Sequence, residues 1–195
     1  MNSKSFCNFA PKRIKNQNMD TILLSDIKQG TPGISPIEGA NLYENSIVAL
    51  HKSGHSSPVT LQMEGMRKEP FSLEWEDCYN DQLQRTYADE QSVTERAAVA
   101  VSVLLALHIT NYIVIERSRK GTGFDYMLGD SLDSLFIPKA RLEISGIMFE
   151  TDSNSLASRF QKKTTQTDKS DDTRLPAYVS VVEFSTPKAK FDIKQ

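Results

Sequence analysis

Residues 97–107 read AAVAVSVLLAL, with Ser102 the single polar side chain among them. Ser92 followed by Glu95 just ahead is a capping-box pattern, and it predicts a helix that carries the run. A helix that is apolar on nearly every side has no face to give to water. It has to be buried among other elements, and its alanines let it sit close to a sheet. The run falls well short of the roughly 20 residues needed to span a bilayer. The rest of the chain must therefore supply layers that cover this helix.

Those layers can be read on either side of it. Ser35 and Pro36 form an N-cap and a first helical position. Leu42, Ile47, Val48 and Leu50 give a helix over 36–52 its apolar face, and Gly54 stops it. Val59, Leu61 and Met63 alternate with polar neighbours, as do Phe71, Leu73 and Trp75, which predicts a hairpin with a turn at 65–70. After the buried helix, Ile113, Val114 and Ile115 make a β-branched run suited to a central strand. Strands over 124–128 and 141–148, a helix over 155–167 and a strand over 177–184 follow. Beyond Pro187, residues 189–193 fit an edge segment. From Ser92 onward the order is helix, strand, strand, strand, helix, strand. The fold class is α/β (α+β), a mixed central sheet flanked by helices. Three segments result: a flexible or loosely docked leader over 1–35, an N-terminal helix and β-hairpin addition over 36–91, and an α/β core over 92–195.

Composition narrows the function. The formal charge of −2 over 195 residues gives no global attraction to nucleic acid, so any such contact must come from a local basic patch. Cys7 and Cys78 stand far apart with no Cys-x-x-Cys, which excludes a disulfide framework or structural zinc and fits a reducing cytoplasm. His51 and His55 have metal-ligand spacing, but Gly54 lies between them and no metalloprotease glutamate accompanies them, so they read as surface histidines at a helix end. Ile22, Leu23 and Leu24, bounded by Asp20 and Asp26, are too few for a signal peptide. A cytoplasmic protein without a membrane partner is expected.

The chemistry concentrates between residues 110 and 147. Asp125 falls in a β-type run, where aspartate is depleted. Glu143 and Ser145 project with Arg141 to one face of the next strand, while Leu142 and Ile144 face the other way. Antiparallel neighbours can bring their side chains within about 5 Å. Two carboxylates that close repel unless a cation or a proton sits between them. Oxygen ligands of this kind suit Mg²⁺ or Mn²⁺. Plainer roles stand beside these. Glu95 can simply complete the capping box, Glu143 can face solvent, Glu116 and Asp130 are weaker acids of the same region, and Glu183 fits a solvent-facing strand position. Basic residues form two groups, Arg117, Arg119 and Lys120 before Asp125, then Arg159, Lys162, Lys163 and Lys169 on or after the last helix. They can contact phosphates or form solvated faces. Gly121-Thr122-Gly123 would allow close backbone approach to a phosphate.

The element order, with Asp125 on the second core strand and Glu143-Ile144-Ser145 on the third, resembles the PD-(D/E)xK nuclease superfamily. The resemblance spans about residues 92–184. It implies a restriction-endonuclease-like core in which Asp125 and Glu143 hold a Mg²⁺ or Mn²⁺ ion and Glu95 joins as a third acid. It also implies phosphodiester hydrolysis in nucleic acid, DNA by analogy, and a setting such as bacterial restriction or anti-phage defence. A protein partner such as an ATPase, or a homodimer, would fit that setting. The chain departs from the family at Ser145, where a lysine is expected to orient water. A serine can hydrogen-bond water but carries no charge. Lys162, Lys163 or Gln166 on the next helix, or Lys120 before the second strand, could supply the replacement. The alternative is a catalytically inactive nuclease-fold subunit acting as a nucleic-acid-binding or protein-interaction scaffold. The blandest alternative is an α/β protein whose acids are ordinary surface residues.

Overall fold

The buried helix is where the layers meet. A computed structural model describes residues 15–16, 19–130 and 135–194, and in it this helix is α3 (Glu90–Thr110), which follows the short α2 (Asp81–Thr86). It starts earlier than the capping box predicts. Asp89 is the N-cap, and its carboxylate accepts from the Ser92 N–H at 2.6 Å. An aspartate one turn upstream caps at least as well as a serine, so Ser92 and Glu95 lie inside the helix. Asn111, left-handed at φ 61°, ends it. Helix α1 (Pro36–Lys52) covers one side of α3 and the sheet covers the other. Ser102, the polar interruption, is fully buried and shares a 2.7 Å hydrogen bond with Ser180 of the sheet. By length and a mean hydropathy of 1.5, α3 could cross a membrane, but 67% of that stretch is buried inside the protein, as suits a core helix.

The architecture is α/β, with one mixed nine-stranded sheet in the order β1-β2-β4-β3-β9-β8-β7-β6-β5. Its N-terminal half holds β1 (Lys15–Asn16), β2 (Met19–Leu23), β3 (Val59–Gly65) and β4 (Phe71–Glu74). The core half holds β5 (Tyr112–Arg117), β6 (Tyr126–Asp130), β7 (Ala140–Ile147), β8 (Ala177–Glu183) and β9 (Lys188–Ile193). The predicted hairpin forms, β3 antiparallel to β4.

Two expectations are corrected. The segment after Pro187 is not an edge. β9 pairs antiparallel with β8 and parallel with β3, and so joins the N-terminal strands to the core. Pro187 precedes the strand, and its carbonyl accepts from the Gln62 N–H at 2.9 Å. The leader over 1–35 is also not loosely docked where it is described. β2 lies parallel to β4, and a 3-10 turn at Leu24–Gln29 follows it. Ile22, Leu24 and Ile27 are fully buried, so a short apolar cluster suffices to add a strand. Residues 1–14 and 17–18 of that leader lie outside the described residues.

The core half follows the predicted order: α3, β5, β6, β7, α4 (Leu156–Gln166), β8. β5, β6 and β7 run antiparallel, and β7 runs parallel to β8. Leu142 and Ile144 join the α3 side of the core. On the opposite face, Ile147, Val179 and Val181 pack with Leu156 and Phe160 of α4. β7 pairs with β8 up to Ile147 but with β6 only through Leu142. Strand β6 begins one residue after Asp125, so the two strands part at that aspartate. Gly146 lies on the part of β7 that is paired with β8 but not with β6. A Cβ there would come within 2.4 Å of the Thr94 carbonyl oxygen, so glycine is what lets α3 lie this close to the strand.

Candidate functional site

The parting of β6 and β7 opens a cleft of about 570 Å³. Its floor is the end of β7 that β6 has left, from Ile144 to Ile147, with Met148 just beyond. Glu38, Glu95 and Arg96, from α1 and α3, line it together with Arg159 and Lys163 of α4. Asp125 and Arg117 line it where the strands separate.

The two carboxylates predicted to converge do so. The Asp125 N–H donates to the Leu142 carbonyl at 2.9 Å, the last rung between the strands. Its Oδ2 then accepts from the Ile144 N–H at 2.8 Å, replacing the strand partner that β7 has lost. Glu143 sits between those two residues and is 1% exposed. Its Oε1 accepts from Lys163 Nζ at 2.6 Å and from Gln166 Nε2 at 2.8 Å. Its Oε2 is buried and accepts no hydrogen bond among the described residues, and the Asp125 carboxyl lies within side-chain hydrogen-bonding reach of the group. Burial is the main cause that pushes the Glu143 carboxyl up to about 7, and the neighbouring Asp125 charge adds to it against the pull of Lys163. Burial also raises Asp125, opposed by the Ile144 N–H and by Lys163. Near neutral pH the pair shares a proton or calls for a cation.

The position after Glu143 resolves differently from a strand lysine. Ser145 is buried, and its hydroxyl accepts from Arg159 Nη1 at 3.2 Å. Positive charge comes from α4 instead, Lys163 over Glu143 and Arg159 over Ser145. The two are four residues apart and so share a helix face. Of the possible replacements, Lys163 and Gln166 reach Glu143. Lys162 is exposed and does not line the cleft, and Lys120 sits on the exposed turn before Asp125.

Other predicted residues separate. Glu95 is exposed on the cleft wall and accepts from Gln91 Nε2 at 3.0 Å. Among the described residues no three His, Cys, Asp or Glu side chains gather closely enough to hold a metal, so Glu95 is not brought into the carboxylate pair. Arg117 lines the cleft, whereas Arg119 and Lys169 are exposed outside its lining. Gly123 makes its close approach to protein: at φ +86°, a Cβ there would come 2.4 Å from the Gln166 carbonyl oxygen. The turn is packed against the end of α4, which corrects the expected phosphate loop.

Arg141 is 3% exposed and points away from the cleft chemistry. It donates to the Leu175 and Thr167 carbonyls and to Ser170 and Asp171, tying down the 3-10 segment Thr167–Thr173. His55 Nε2 is 2.9 Å from the Phe184 carbonyl oxygen and His51 stacks on Tyr79, so the histidine pair is structural. Glu183, expected to face solvent, is fully buried.

No family model, curated protein or solved structure matches the chain. The site must be judged on its chemistry. A buried, unpartnered carboxylate oxygen beside a second carboxylate fits a hard divalent cation such as Mg²⁺ or Mn²⁺, with Asp125 and Glu143 as its holders.

Proposed function

We infer that this protein is a metal-dependent nuclease of the PD-(D/E)xK kind that hydrolyses phosphodiester bonds in nucleic acid. Asp125 and Glu143 are its metal-holding acids, and Lys163 carries the charge that a lysine at position 145 would otherwise supply. The observation that carries this reading is Glu143 Oε2, buried and accepting no hydrogen bond among the described residues, beside Asp125, which lines the open cleft. An unpaired buried carboxylate oxygen is costly, and a site for a ligand accounts for keeping one. The helix and strand order, and the parting of β6 from β7 at Asp125, agree with the restriction-endonuclease-like core that the resemblance implies.

When bound, Mg²⁺ or Mn²⁺ supplies polarisation of a phosphodiester oxygen and acidification of water. The chain's own residues do the rest. The Ile144 N–H fixes Asp125, Gln166 and Lys163 fix Glu143, and the Lys163 ammonium stabilises charge that develops on the phosphate. Ser145, whose hydroxyl is taken by Arg159, positions that arginine rather than holding water.

Mn²⁺ titration by calorimetry, paired with a cleavage assay on DNA and RNA, tests this. The unmodified protein takes up Mn²⁺ and cuts, and Asp125→Asn and Glu143→Gln do neither. No Mn²⁺ uptake, with or without an oligonucleotide present, would sink the nuclease reading. One observation favours the second reading, an inactive scaffold: among the described residues no third acid joins the pair. That protein would bind oligonucleotides and never cut them.

A further inference from the structure

The cleft has two walls of unlike charge. On the α4 side, Arg159 is held by Asn154 Oδ1 through Nε at 3.0 Å and Nη2 at 2.7 Å, and by Ser145 through Nη1. Both acceptors are uncharged, so the guanidinium keeps its full positive field. Arg117, exposed, adds a second cation where β6 and β7 part; Asp125 beside it offsets part of that charge, while Lys163 is paired to Glu143, so this wall stays net positive. On the other side, Arg96 is spent on Glu38, with Nη2 to Oε2 at 2.8 Å. Glu95 is exposed there and has only a neutral glutamine as donor. That wall is net negative. Val99, half-buried, supplies an apolar spot in the same cleft, above the buried Leu42 and Met148.

Phosphates dominate nucleic-acid affinity and follow cations. One sugar–phosphate backbone can run along Arg159 and Arg117. A second backbone would have to run beside Glu38 and Glu95, where like charge opposes it. A duplex brings both backbones and keeps its bases stacked inside. A single strand brings one backbone and frees its bases for apolar contact. The cleft volume of about 570 Å³ is that of a small-ligand pocket, roughly 300–1,000 Å³, and suits a short stretch of one strand. Glu38 and Leu42 belong to α1, so the N-terminal addition supplies part of the excluding wall.

We propose that the cleft takes a single nucleic-acid strand, with its phosphates along Arg159 and Arg117 and its bases toward Val99, and that Glu38 of α1 helps to exclude duplex. This rests on reading the cleft as a nucleic-acid site, but not on its cutting anything.

The test is fluorescence anisotropy in EDTA, using labelled single-stranded DNA, RNA of the same sequence, and the matching DNA duplex. At least one single strand binds about tenfold more tightly than the duplex. Arg159→Ala weakens that binding and lowers the slope of log affinity against log salt by about 0.7, the loss of one single-strand phosphate contact. Arg159→Lys keeps the slope, which separates lost charge from lost folding. Glu95→Lys, on the exposed surface of α3, improves duplex binding and narrows the preference. Duplex bound as tightly as single strand, neither bound, or an unchanged slope in Arg159→Ala would each overturn the proposal. Because no metal is present, the result is independent of Mn²⁺ uptake. Strand preference without Mn²⁺ uptake would leave a strand-binding scaffold and remove only the nuclease reading. Mn²⁺ uptake with duplex preference would do the reverse.

Discussion

Two glutamates on neighbouring parallel strands, Glu143 of β7 and Glu183 of β8, are both almost completely buried, 1% and 0% exposed. The protein treats them oppositely. Glu183 is closed: Oε1 accepts from the Ser185 N–H at 2.9 Å and from the Ser185 hydroxyl, and Oε2 accepts from the Thr186 N–H at 2.9 Å and the Thr186 hydroxyl at 2.8 Å. Its donors come from the turn directly after it, so it anchors the β8–β9 connection. Glu143 is left open, with one oxygen held from α4 and the other unbonded beside Asp125. Burial alone therefore does not mark a functional acid. An unsatisfied oxygen beside a second acid that lines a cleft does.

The comparison breaks most sharply on folding. Glu183→Ala strands donors that the turn was built to satisfy, and unfolding by denaturant should show a loss of about 3 kcal/mol. Glu143→Gln removes an unfavourable buried charge, and at pH 8 the metal-free variant should be at least as stable as the unmodified protein. Equal losses for both would mean that Glu143 is an anchor like Glu183.

The pH dependence sharpens the same contrast. In the folded protein the Glu143 carboxyl is raised to about 7 from an ordinary 4.5. Between those values the folded state binds more protons than the unfolded state, so stability falls as pH rises. Without metal, the protein should be more stable near pH 5 than near pH 8, by an amount on the order of 3 kcal/mol. The raised Asp125 acts in the same direction. Thermal melts in EDTA across that window measure the change, and Glu143→Gln should flatten most of it. A flat profile in the unmodified protein would mean that water, reaching Oε2, already solvates the carboxylate.

Lys163→Ala comes next. The lysine should matter more to rate than to folding, because Gln166 still holds Oε1 and Glu143 can keep a proton. Cleavage should fall about a hundredfold in kcat, with Mn²⁺ uptake retained. Lys162→Ala, on the exposed side of α4, should leave the rate unchanged. Equal losses for the two lysines would point to a diffuse basic patch.

Much of this arrangement was legible in the sequence, for reasons that differ by element. The α1 bounds follow from Ser35, Pro36 and the apolar spacing, all of which are local. Asp125 and Glu143 stood out as acids in strand-like runs. The choice among Lys120, Lys162, Lys163 and Gln166 did not, because it depends on how α4 is turned on the sheet. A signal for that was present: Leu156 and Phe160 mark the buried stripe, and at about 100° per residue Lys163 falls beside it while Lys162 falls away. The place of β9 was illegible because it depends on β3, far away in the chain, and the burial of Glu183 because it depends on how the turn after it folds back over the carboxylate. An alternating edge strand and a central one look alike until β3 is placed alongside. Glu38 and Arg96, on the cleft wall, gave no signal at all.

The smallest expected effect is the most discriminating about Ser145. If Lys163 does the work of a strand lysine, Ser145→Lys alone adds nothing, since its ammonium would meet Arg159 and a carboxylate already paired. In the Lys163→Ala background the same change should restore activity by about tenfold, roughly half of the loss on a logarithmic scale. The recovery is partial because Arg159 must move aside from the position that Asn154 gives it. Measured as kcat with saturating Mn²⁺, rescue in the double variant together with no gain in the single one would tie the two lysine positions to one role. A gain from Ser145→Lys alone would mean that Lys163 only neutralises Glu143, and that the comparison with Glu183 is one of two anchors, one of them incomplete.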